Sequence, residues 1–315
     1  MKKREIILAI GTVLLMGLGI LSLKFNNEIY IWWLGDVEAL IKQANTCYKE
    51  KDYKQAKKLY TRLARIDSAA WCQYVLGDMY YQGRGCKRDF DKAMDYFYQS
   101  ALGGNADAQN NLGYIYTMGI GTDTDFNEAK KWLRMAAAQG HSQALVGLGS
   151  LYRNGWGVLR NHKEAFKLYR RAAAHGNADA MNNLGFMHTF GFGTWTNVKD
   201  AIYYFQKAAA QNHALAQYNL ATFYIEGHGF QKDLVKGAEL LTAAASNGLP
   251  AAQFNLGLMY HFGKGVEQND REAERLFRQA SAQGHQLATT FLIKLEEKDT
   301  TLVNDTILDL KLIAR

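Results

Sequence analysis

Proline is almost missing from this chain: Pro250 is the one example in 315 residues. That excludes a collagenous, polyproline or proline-rich linker protein. Cysteine is scarce and odd in number, with Cys47, Cys72 and Cys86 alone, so no disulfide framework is expected. Cys72 begins one helix and Cys86 lies in the loop beyond its far end, about 20 Å away, so they cannot pair, whereas a Cys47–Cys72 bond stays open. Charged residues make up 21%, and the 48% hydrophobic and 12% aromatic shares are too high for a disordered chain. The net charge of +7 is unevenly placed. Lys2, Lys3, Arg4 and Lys24 oppose only Glu5 at the start, and seven Lys/Arg oppose Glu50, Asp52 and Asp67 within residues 49–67. The latter stretch reads as a solvated helix face, and the remainder is close to balanced, so no nucleic-acid partner is expected.

What is present begins with an uncharged run from Ile6 to Leu23 behind the basic residues 2–4. Its reach of about 27 Å suits a bilayer, no Ala-x-Ala-like cleavage site follows, and no cysteine is placed to take a lipid. The expectation is a cytoplasmic start at 1–5, an uncleaved transmembrane signal anchor at 6–23 and an interfacial linker at 24–36. In that linker Phe25, Tyr30, Trp32 and Trp33 form an aromatic belt at the membrane interface. A cleaved signal peptide is the alternative. The basic near flank and the acidic Glu28, Asp36 and Glu38 beyond imply a single-pass bacterial inner-membrane protein, its N-terminus cytoplasmic and its body periplasmic.

The body repeats. Leu76, Leu112, Leu148, Leu184, Leu220, Leu256 and Leu292 are each 36 residues from the last. Glycines 77, 113, 149, 185 and 257 follow in register, with Ala221 replacing one, and so do tyrosines 80, 116, 152, 224 and 260, with His188 replacing one. Paired glycines then recur from Gly83/Gly85 to Gly263/Gly265. Within one unit, Ala106 to Met118 carries a helical stripe that Gly119-Ile120-Gly121 ends, and Phe126 to Ala138 carries a second. A two-helix unit cannot bury both faces alone, so neighbours must stack.

The pattern Ala-x-Ala-x-x-x-Leu-Gly-x-x-Tyr-x-x-Gly-x-Gly, followed by a helix ending Lys-Ala-Ala-Ala, resembles the Sel1-like repeat, a relative of the tetratricopeptide repeat. The resemblance implies an all-α, right-handed α-solenoid of two-helix repeats preceded by one transmembrane helix. Six Sel1-like repeats fit residues 70–285, a plain tetratricopeptide-like unit fits 37–69, and 286–315 reads as a C-terminal cap.

No catalytic or metal-binding constellation emerges, and no cofactor or small-molecule substrate is expected. His141, His213 and His285 share one repeat position two units apart, of order 20 Å from one another, too far to share a metal ion. The Gly-x-Gly pairs lack the preceding strand and the Gly-Lys-Ser/Thr of a nucleotide site. The candidates are therefore surfaces for another protein. In related solenoids the first helices line the concave face, where Asn111, Asn183, Asn219 and Asn255 precede the repeat leucine. A ladder of carboxamides suits a peptide backbone, as the resemblance also implies; the alternative is that each bonds a neighbouring helix. The second candidate is an apolar loop patch of Met118, Ile120, Trp156, Phe190, Phe192 and Trp195, the alternative being packing between adjacent loops. The favoured function is a membrane-anchored adaptor in an envelope complex. The resemblance adds an immunity protein that neutralises a secreted phospholipase-type effector, and the aromatic loops add a cell-wall glycan binder.

Overall fold

A computed structural model describes residues 37–66, 69–229 and 231–296. All regular structure among them is helical: α1 (37–49), α2 (Tyr53–Ile66), α3 (Ala70–Gln82), α4 (Phe90–Leu102), α5 (Ala106–Met118), α6 (Phe126–Ala138), α7 (Ser142–Asn154) and α8 (His162–Ala174). Beyond these lie α9 (Ala178–Phe190), α10 (Val198–Ala209), α11 (Ala214–Glu226), α12 (Leu234–Ser246), α13 (Pro250–Phe262), α14 (Asp270–Ala282) and α15 (Gln286–Glu296). The chain divides into two units, Met1–Thr124 with α1–α5 and Asp125–Arg315 with α6–α15. Each is a stack of helices paired as first and second members of a repeat.

The repeat's punctuation sets these boundaries. First helices end at left-handed glycines, from Gly83 at φ 73° to Gly263 at φ 60°. Second helices start behind Asp89, Asp125, Asn161, Asn197, Asp233 and Asn269, whose side chains each accept the N–H three residues on. Asn105 and Asn177 do the same for first helices. The three histidines that the sequence leaves in turns are caps as well, because Nδ1 of His141, His213 and His285 accepts from Ala144, Ala216 and Ala288 N–H at 3.1, 3.1 and 3.3 Å. An accepting nitrogen must be unprotonated, and burial lowers the pKa of His285 in agreement with that role. Pro250 occupies the first turn of α13, where no N–H is needed.

In four of the repeats the two helices touch where glycine faces an aromatic ring. A Cβ on Gly77 would lie 2.7 Å from the Phe97 ring in the first unit. In the second unit the same holds for Gly149 against Tyr169 and for Gly257 against Phe277. The fifth repeat redistributes this space: Ala221 replaces the glycine, Leu241 the ring, and Gly237 makes room for Ile225. Cys47, Cys72 and Cys86 form no disulfide, Cys72 being buried in the core of the first unit and Cys47 packed against it.

The inner-membrane location with periplasmic repeats requires correction. Among the described residues no helix is long and apolar enough to cross a membrane. The longest, α2, has 14 residues and reaches about 21 Å, short of the ~30 Å hydrocarbon core. The expected anchor at 6–23 and the belt of Phe25, Tyr30, Trp32 and Trp33 lie outside the described residues.

Candidate functional site

The asparagine column lies mostly inside the stacks. Asn183, Asn219 and Asn255 are buried and Asn111 is half-buried. Their partners obey a rule: Asn219 Nδ2 donates to Asn182 Oδ1 at 2.9 Å, Asn255 Nδ2 to the Tyr218 hydroxyl at 3.0 Å, and Asn111 bonds the Tyr74 hydroxyl. Each reaches the residue 37 positions earlier, on the preceding first helix. Asn183 instead accepts from Arg153 at 2.8 Å. Replacing Asn219 by alanine strands the buried Asn182 carboxamide oxygen and is expected to cost about 1–3 kcal/mol, measured by urea unfolding. An unchanged midpoint would remove this stitching role.

The loop candidates divide between the units. Met118 and Ile120, exposed and half-buried, belong to the first. Trp156, Phe190, Phe192 and Trp195 belong to the second, Phe190 as the last residue of α9 and the others in the α7–α8 and α9–α10 loops. There the second glycine of a loop sits on the start of the preceding second helix: a Cβ on Gly157 would meet Phe126, and one on Gly193 the His162 carbonyl. This seats rings on the preceding repeat. Trp156 stacks on Phe126 with centroids 5.6 Å apart, Phe192 stacks on His162 at 4.9 Å, and Phe190 lies 5.8 Å from Phe192. Burial, with repulsion from Arg160 and Arg153, lowers the His162 pKa and keeps the ring beneath Phe192 neutral. Inward of this shelf, His188 fills its tyrosine position between Phe166 and Tyr204, and burial lowers its pKa.

Trp195 stands apart from the shelf at 90% exposed. Its equivalent one repeat earlier is Leu159, 92% exposed and absent from the expected loop patch. The repeat register is the signal that finds it. The column reads Lys87, Asp123, Leu159, Trp195, Gln231 and Glu267, polar everywhere but in the third and fourth repeats. Among the described residues no group of three or more His, Cys, Asp or Glu is placed to hold a metal ion.

The Sel1 repeat family model matches residues 46–68, 72–105, 106–141, 142–177, 178–213, 214–249 and 250–285. The crystal structure of c5321, a protective antigen present in uropathogenic Escherichia coli strains and displaying an SLR fold, superposes with a TM-score of 0.68 at 30% identity, over 90% of this chain. The chain spans 60% of that antigen's length. The Sel1 repeat protein from Oxalobacter formigenes superposes with a TM-score of 0.72 at 32% identity, over 77% of this chain and 99% of that one. Immunity protein Pa5087 from Pseudomonas aeruginosa superposes with a TM-score of 0.45 at 18% identity, over 65% of this chain and 81% of that one. No curated protein matches the sequence.

Proposed function

The chain belongs to the Sel1 repeat family, and from that premise we propose that it is a non-enzymatic adaptor whose contact surface for another protein is the loop edge of the third and fourth repeats. The observation that carries this reading is the pair Leu159 and Trp195. A residue needed for folding is buried, yet these two project almost fully into solvent at a column that is polar in the other four repeats. Trp156 and Phe192 lie in the same two loops and Phe190 ends α9, all three partly exposed. Large, rigid aromatic side chains of this kind supply most of the energy at protein interfaces. In this reading the buried asparagine column holds successive first helices together and takes no part in recognition.

The test is capture of partners from whole-cell extract, with wild type beside variants. Leu159→Ala and Trp195→Ala are expected to leave unfolding within about 0.5 kcal/mol of wild type, since they remove no buried contact. Trp156→Ala gives up its stack on Phe126 and is expected to cost about 0.5–1.5 kcal/mol. All three are expected to lose partners that the wild type retains. Unchanged capture by Leu159→Ala/Trp195→Ala, or unfolding of that variant, would defeat the proposal.

A further inference from the structure

We infer that this loop edge takes an acidic protein segment carrying bulky apolar side chains. The inference rests on the edge being the contact surface and adds the chemistry of its partner. Residues 155–163 and 191–199 contain Arg160, Lys163 and Lys199 and no carboxylate. The matching segments of every other repeat contain acids: Asp89 and Asp91, Asp123 and Asp125, Asp233, and Glu267 and Asp270. Apolar tips and loss of carboxylates thus coincide in the same two repeats, partly at one position, since Leu159 and Trp195 stand where the second and sixth repeats carry Asp123 and Glu267. A requirement of the fold would have spread them over all six.

The charge is available. Arg160, Lys163 and Lys199 are exposed and make no ion pair among the described residues. The next carboxylates along the chain are occupied, Glu164 by Lys167 at 3.4 Å and Asp200 by Asn197 Nδ2 at 2.7 Å. Asn161 and Asn197 cap α8 and α10 without a negative charge, and the acids of the first turns are Glu164 and Asp200. The fold also brings the two loops together, because Gly193 packs on the His162 carbonyl and the Lys163 amide nitrogen while Phe192 covers the His162 ring. Cations and rings therefore share one surface. An anionic membrane is the less suitable occupant: lipid-binding patches gather about 4–8 Lys/Arg, whereas here Arg160, Lys163, Lys199 and Lys130, which reaches the Gly157 carbonyl at 3.1 Å, are interrupted by Glu164 and Asp200.

The experiment measures fluorescence anisotropy of labelled peptides that share Trp, Leu and Phe anchors and differ only in carrying Glu, Gln or Lys between them, titrated with the full chain. The Glu peptide is expected to bind about tenfold more tightly than the Gln peptide at low salt, with the advantage gone by about 0.3 M salt. Arg160→Gln/Lys163→Gln/Lys199→Gln is expected to erase that advantage without changing the circular dichroism, and Leu159→Ala/Trp195→Ala to weaken the Glu and Gln peptides alike. Equal binding of all three peptides, still sensitive to the tip variant, would overturn the acidic partner and leave the contact surface standing. Binding that ignores the tip variant, or its absence for every peptide, would overturn both. Retention on phosphatidylglycerol vesicles with no peptide preference would overturn the protein segment as occupant.

Discussion

Gly193→Ala is expected to destabilise the second unit by about 3–5 kcal/mol, while Gly176→Ala costs only about 1 kcal/mol. Both glycines hold positive φ, 71° and 80°, so the left-handed backbone penalty is common to them. Their surroundings differ. A Cβ at Gly176 meets nothing within 4 Å, whereas one at Gly193 lands inside the van der Waals shell of the His162 carbonyl, a backbone group that cannot swing aside. The difference between the two variants in urea unfolding therefore isolates the close approach that seats one repeat's loop on its predecessor. Because the same approach positions Phe192 and Trp195, Gly193→Ala is also expected to weaken partner capture. Equal costs for the two substitutions would show that the loop does not depend on this contact.

Phe205→Ala is expected to cost about 3–5 kcal/mol, since the ring is fully buried between α9, α10 and α11 and its loss opens a cavity. Gly185→Ala approaches the same ring from the other side: its Cβ would lie 2.6 Å from the Phe205 Cε1, an overpacking worth about 1–3 kcal/mol. The fifth repeat supplies the remedy. It combines Ala221 with Leu241 at these two positions, so Gly185→Ala/Phe205→Leu is expected to be more stable than the sum of the single changes by about 1 kcal/mol or more. A double-mutant cycle in urea reads this coupling, and additive values would contradict the packing rule.

Much of the fold is legible without coordinates because its punctuation is chemical. The stripe from Ala106 to Met118 and that from Phe126 to Ala138 match α5 and α6 residue for residue, since Gly119 tolerates the left-handed turn and Asp125 caps the helix beyond it. Side-chain direction is less legible. Period locates Asn219 on a first helix but does not say that its amide points at Asn182 in the preceding repeat. Likewise a turn histidine gives no sign that its Nδ1 closes the next helix, as His213 does. Leu159 is readable in principle, since its column is polar in four of six repeats, but loop residues between glycine and cap carry no periodic signal of their own.

Recognition by the loop edge of the third and fourth repeats is the central claim. Hydrogen exchange of the full chain, with and without its captured partner, tests it most directly. Protection concentrated in residues 155–163 and 191–199 is the expected result. Protection confined to the first helices α7, α9 and α11, with both loops unchanged, would contradict it.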